Sequence, residues 1–261
     1  KRYLVVSQDE TVDYTTINEA IQNIRPNGHI LVKPGRYIES LVINKPLHLS
    51  GDAGVIIESN TATCILVGAR AKGGFLSNLI LEGHCSDCPT VEIQTGDFSL
   101  QHCDITADSS DCIALRTGTI ATIQKCTIHD GKKNGIGVYD GARATVVDCT
   151  IHHHINSGIE VKKGTLTISG GKIHDNNGCG ILVTDGSTVN PDAEKLASVE
   201  STTKKEVKRL KIYSNKGNGI VIKENSGGTI EHCDIHDNSL AGIKIQEGTH
   251  HIAVRDCKVY E

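Results

Sequence analysis

The sequence predicts an all-β fold, a right-handed parallel β-helix of about ten coils with an N-terminal capping helix. Three observations carry this expectation. A pattern recurs every 22–25 residues, each repeat holds two or three short period-two strands, and glycines fall at a fixed offset inside the repeat.

The repeat aligns on an apolar residue followed by a polar or aromatic one: Ile105-Thr106, Ile128-His129, Ile151-His152, Ile173-His174, Ile212-Tyr213, Ile235-His236 and Val259-Tyr260. Successive spacings are 23, 23, 22, 39, 23 and 24, the 39 being one repeat plus an insertion. Ile80, 25 residues before Ile105, extends the series toward the N-terminus. Two residues before each anchor stand Cys103, Cys126, Cys149, Gly171, Leu210, Cys233 and Cys257. Apolar and polar residues alternate there, as in Cys126-Thr127-Ile128-His129, which is a strand with one buried face. Gly135, Gly158, Gly180, Gly219 and Gly242 each lie seven residues after an anchor and open a second strand, such as Ile159-Glu160-Val161. A third strand, as in Ala144-Thr145-Val146-Val147-Asp148-Cys149, completes the coil. Gly158 is expected to hold a positive φ, which other residues adopt at a cost. With no helical stretch in the repeat, helical and leucine-rich solenoids are disfavoured. Coils stacked at about 4.8 Å give a rod about 50 Å long.

Residues 14–24 place Ile17, Ala20, Ile21 and Ile24 on one stripe, and Thr16 with Glu19 forms a capping box. A helix there would close the bottom of the rod and cover an edge that otherwise invites aggregation. Residues 187–206 break the repeat, with Asn190-Pro191-Asp192 a candidate start for a short helix through Val199. That segment is either a contact element beside the coil carrying Gly180 or a tolerated surface insertion. Residues 1–261 read as a single β-helix domain. The chain opens Lys1-Arg2, lacks Met and stops at Glu261 inside a repeat, so a fragment of a larger protein is expected.

Aromatic residues make up 3% of the chain and Trp is absent, so Ile, Val, Leu, Ala and Cys must fill the interior. The net charge of −4 gives no general attraction to nucleic acid or anionic membrane. No apolar run approaches the roughly 18–20 residues of a membrane span, and no signal peptide is visible. Neither nucleic acid nor membrane is an expected partner. Five of the ten cysteines fall in one inward-facing column, where a free thiol acts as a small hydrophobe. That favours a reducing, intracellular setting (cytoplasm or nucleus), with secretion the alternative.

The stretches Tyr14-Thr15-Thr16-Ile17-Asn18-Glu19-Ala20-Ile21, Ile30-Leu31-Val32-Lys33-Pro34-Gly35-Arg36-Tyr37 and Leu41 to Gly51 together resemble the opening of pectin-lyase-like β-helix proteins. Cys233-Asp234-Ile235-His236-Asp237-Asn238, with Ala241-Gly242-Ile243, resembles the carbohydrate-binding and sugar-hydrolase repeat of F-box β-helix proteins. The resemblance covers nearly the whole chain and implies the fold. It does not single out a function, because lyases, hydrolases, epimerases and non-catalytic binders share it.

Several enzyme signatures that the resemblance brings to mind are missing: the lyases' paired arginines, the later pectinesterase aspartate motifs and the epimerases' Asp-Pro-His. Asp108-Ser109-Ser110-Asp111-Cys112-Ile113-Ala114-Leu115 resembles the acidic motif of polygalacturonases, which makes Asp108 and Asp111 the candidate catalytic acid and base. That family's Gly-His-Gly and Arg-Ile-Lys elements are absent, and a turn acid before an ordinary strand is the competing reading. His129, His152, His174, Tyr213 and His236 occupy one column, with His153 beside them, and form the candidate binding face. The competing reading is that this position ends a strand and accepts any polar residue, as Thr106 suggests. No metal and no cofactor are expected.

Three function classes follow. The favoured one is a non-catalytic recognition scaffold that binds a protein or glycan along one face. The second is a carbohydrate-active enzyme, a lyase, hydrolase or epimerase of a uronic-acid polysaccharide. The third is a structural domain that self-associates end to end at its uncapped C-terminal coil.

Overall fold

A computed structural model describes residues 1–8, 12–189 and 208–261. These residues form three sheets of eleven, nine and ten strands, and each strand pairs with its counterpart on the next coil. The pairings run parallel throughout the anchor column: Ile105 meets Ile128, then Ile151, Ile173, Ile212, Ile235 and Val259 follow in register. Ile173 pairs directly with Ile212, so the extra length lies between neighbouring coils. Of the segment 187–206 expected to break the repeat, Thr188 and Val189 instead form a short strand in register with Thr165 and Leu166 on one coil and Gly227 and Gly228 on the next. Residues 190–207, and with them the short helix expected from Asn190 to Val199, lie outside the described residues.

Alternation sends every second side chain inward, and the interior is a continuous cluster from Leu4 to Ile235 dominated by Ile, Val and Leu. Each fully buried aliphatic side chain contributes about 1.5–3 kcal/mol. The anchor series shifts by one residue at its N-terminal end. Leu81, not Ile80, pairs with Ile105; Leu81 is fully buried, whereas Ile80 pairs with Asp104 on the outer side. Adjacent apolar residues cannot be assigned a face by hydrophobicity alone, and a one-residue slip exchanges inside for outside.

The strands are shorter than the sequence pattern suggests. Arg143–Val147 ends at Asp148 (φ 52°), and Thr150–His152 begins in a different sheet, so Ala144 to Cys149 turns a corner. His102, Lys125, His232 and Asp256 hold the equivalent corner, with φ between 45° and 52°. The positive φ expected at Gly158 is therefore misplaced: the corner residues carry it. Gly158 is needed for closeness, since a Cβ there would lie 2.5 Å from Ile173 Cγ2 and 2.9 Å from the Gly180 carbonyl oxygen.

The capping helix spans Ile17–Asn23, with Ile17, Ala20 and Ile21 buried. It packs on strands Tyr3–Val6, Gly28–Val32 and Leu41–Ile43. Tyr14 is extended instead and bridges to Val6. The Thr16 hydroxyl accepts the Glu19 N–H at 3.4 Å. The Glu39 carboxylate accepts the N–H groups of Ile17 and Asn18 at 2.8 and 2.9 Å, a cap supplied by the next coil. Among the described residues no helix is long and apolar enough to cross a membrane.

The column cysteines Cys103, Cys126, Cys149 and Cys233 are buried free thiols. Burial pushes the Cys64 thiol up to about 12, which suits a structural rather than a reactive cysteine. Cys85 and Cys88, outside that column, are disulfide-bonded.

Candidate functional site

The residue after each anchor points out of the rod, so parallel register lays those side chains one above another. His129, His152, His174, Tyr213, His236 and Tyr260 form an unbroken stack. Their centroids are 5.2, 5.0, 4.8, 5.2 and 5.0 Å apart, with interplanar angles of 3° to 11°. The ring faces cover one another. What the stack offers a ligand is therefore a row of ring edges, bearing imidazole nitrogens and phenol hydroxyls at one-coil intervals. Tyr260, which the repeat series includes but the expected binding face does not, belongs to this row.

Each histidine ring of the stack is oriented by the corner residue that follows it. Asp130, His153, Asp175 and Asp237 hold φ of 51° to 58°, a conformation that Asp tolerates better than most residues. His129, His174 and His236 each donate Nδ1–H to that neighbouring carboxylate at 2.6 Å. His152 instead meets His153 through an Nδ1–Nδ1 hydrogen bond of 2.6 Å, so the two cannot both be protonated. Asp104 on Nε2, followed by Asp130 on Nδ1, raises His129 to about 9. Burial pushes His152 down to about 4, and the neighbouring imidazoles His174 and His129 push in the same direction. The stack thus carries a charged imidazole at one end and a neutral one beside it near neutral pH.

Two residues before the rings, a second outward column carries Lys172, Lys211 and Lys258, each in register with its neighbours. Asp234, the acid in that column, is paired with Arg209 at 2.8 Å. The C-terminal half of the face is therefore flanked by these lysines on one side and by Asp175 and Asp237 on the other.

His154 does not join its two neighbours on the outside. It is buried, its N–H donates to Asn176 Oδ1, and its ring bonds the Ile128 carbonyl and the Gly131 N–H. Burial drives it down to about 4. Asn176, Asn215 and Asn238 continue the same interior ladder, each asparagine bonding the coil above through its side chain. The sequence signal for this ladder is Asn three residues after the anchor on three coils.

Asp108 and Asp111 have separate surroundings. Asp111 is buried; its carboxylate accepts the Asn134 N–H at 3.0 Å and the Tyr139 hydroxyl at 2.6 Å. Burial, then Asp111, pushes the Tyr139 phenol upward. Asp108 lies on the outer surface and accepts from His84 Nδ1 at 2.7 Å. Among the described residues no hydrogen bond or common partner links the two carboxylates. Glu58, Glu82 and His84, which the repeat spacing did not bring to attention, converge near Asp108 with their ligand atoms all within 4.8 Å of one another.

The family described as right handed beta helix region matches residues 47–195 and 195–261. No curated protein sequence matches the chain. Among solved structures, the A-module of mannuronan C-5 epimerase AlgE6 from Azotobacter vinelandii aligns with a TM-score of 0.70 at 14% identity, covering 92% of this chain and 69% of that one. Pectin methylesterase from carrot aligns at 0.55 and 18% identity, covering 97% and 82%. A tailspike capsular polysaccharide depolymerase from an Acinetobacter baumannii bacteriophage aligns at 0.56 and 14% identity, covering 90% and 49%. At these identities the likeness is one of fold.

Proposed function

This chain is a member of the right-handed β-helix family, and we propose that it is a non-catalytic recognition module that binds an extended acidic glycan along its ring ladder. The observation that carries this reading is the stack from His129 to Tyr260, which repeats a hydrogen-bonding edge about once per coil. Because the ring faces are covered by one another, recognition runs through hydrogen bonds from nitrogens and hydroxyls. An extended peptide advances about 3.3 Å per residue and falls out of phase with coils spaced about 4.8 Å apart. A chain of pyranose units, each about as long as one coil is deep, stays closer to that repeat. Lys172, Lys211 and Lys258 beside the rings favour an anionic polymer. Three of the solved structures that share the fold have names directed at polysaccharides, which supports a glycan over a protein ligand.

The separate commitments of Asp108 and Asp111 to His84 and to Tyr139 support a binding rather than a hydrolytic role. The test is a glycan array probed with the wild type and Tyr213→Ala, run beside an ultraviolet assay for unsaturated uronate. The expected result is binding to acidic glycans that weakens about tenfold or more in the variant, a loss of about 1.4 kcal/mol. Affinity should also fall with added salt, as exposed charge pairs are screened. Binding indifferent to Tyr213→Ala would sink the ladder reading, and uronate release would establish a lyase.

A further inference from the structure

We propose that Glu58, Glu82 and His84 form a binding site for one divalent transition-metal ion, zinc above the alkaline-earth ions, on the N-terminal part of the same outer face. Glu58 and Glu82 are register partners on adjacent coils, so their carboxylates are stacked by the fold at one-coil spacing. Like charges placed directly opposite repel and call for a cation between them. His84 follows Glu82 by two residues, and its Nε2 stands 3.8 Å from Glu82 Oε2. All three ligand atoms lie within 4.8 Å of one another. Bonds of about 2.0–2.2 Å to one ion require the groups to close by a small side-chain rotation.

The orientation of His84 is an independent observation. Asp108, from the next coil, holds its Nδ1 at 2.7 Å and directs Nε2 toward the carboxylates. A ligating imidazole held through its other nitrogen by a carboxylate is the usual outer support of a metal site. The donor set also decides the ion. Two carboxylates with one imidazole suit zinc or a neighbouring transition metal, whereas calcium and magnesium prefer oxygen alone. Three protein ligands leave a fourth position to solvent, and the side chains are accessible, with His84 33% and Glu82 26% exposed.

A cation already stands there: Arg36 Nη1 bonds Glu82 Oε2 at 2.8 Å and also contacts Glu58. Its side chain is half exposed and can swing into water when a metal enters. The arginine therefore competes with the ion, and its removal should tighten binding.

The experiment is zinc titration by calorimetry on the whole chain, stripped with chelator, comparing wild type with Glu82→Gln, His84→Ala, Asp108→Asn and Arg36→Ala. Wild type is expected to bind one zinc equivalent that weakens at least about tenfold in the first two variants and measurably in Asp108→Asn. Arg36→Ala should bind more tightly than wild type, and calcium should give no comparable heat. His174→Ala separates this site from the ring ladder and should leave the equivalent intact. Melting curves in chelator show whether each variant folds; should His84→Ala unfold, Glu82→Gln and Asp108→Asn carry the test. Zinc uptake unchanged in the variants that fold, or lost with His174→Ala alone, overturns the assignment.

Discussion

Gly158 illustrates how a solenoid constrains a single residue. Its missing side chain leaves room for Ile173 Cγ2 and for the Gly180 carbonyl, which a Cβ would meet at 2.5 and 2.9 Å. One of those atoms belongs to a backbone held in the ladder of the next coil and cannot retreat. Gly158→Val should therefore destabilise the protein by about 3 kcal/mol through overpacking, read as a lower melting temperature. A melt equal to wild type would show that neighbouring coils can separate locally. His154 shows the opposite case, a polar residue placed where packing demands hydrogen bonds on every side. All of its ring nitrogens are engaged, to Ile128 and to Gly131. The following coils place Asn at this position and the preceding one Gly131, and the series would not have distinguished His154 from the outward His152 and His153 without the corner at His153.

Single elements depend on contacts that cross coils. The helix Ile17–Asn23 spans seven residues, too short to be stable alone. Its first N–H groups are satisfied by Glu39, which lies on the following coil and brings its negative charge to the positive helix end. Glu39→Ala should cost about 1 kcal/mol and raise hydrogen exchange in residues 17–24 more than elsewhere. Uniform exchange across the chain would instead place the effect in the surrounding coils. The Thr16 cap was legible from the sequence, because capping is local. The Glu39 cap was not, because it comes from a residue 22 positions along the chain and no local pattern marks the pair. The strand ends were misjudged for a related reason: a corner at Asp148 keeps the inside–outside alternation while changing the sheet.

Across the whole molecule, buried imidazoles set the response to acid. Burial lowers His48, His152 and His154 to about 4 from an ordinary 6.5. As pH falls, the unfolded chain takes up these protons before the native fold does. The stability linked to their neutral forms is thus full above 6.5 and is lost progressively toward 4. His129 acts in the other direction: raised to about 9, it stabilises most below 6.5 and loses that effect as pH rises through 9. Melting temperature should accordingly decline between pH 6.5 and 4. His154→Asn, which substitutes the residue used by the next coils of the ladder, should make that decline shallower. An unchanged acid limb in this variant would assign the loss to other groups.

The sequence by itself determined the solenoid, because a 22–25-residue period with alternating strands leaves one way to bury every apolar face. It also determined the ring column, since equivalent positions in parallel register must stack. Only the tertiary structure decided which way the rings turn, which histidine goes inside, and that Glu58, Glu82, His84 and Asp108 meet. Those outcomes depend on side-chain rotamers and corner angles across three coils. A repeat reports which residues are equivalent, while hydrogen bonding between neighbouring coils decides what the equivalent residues do.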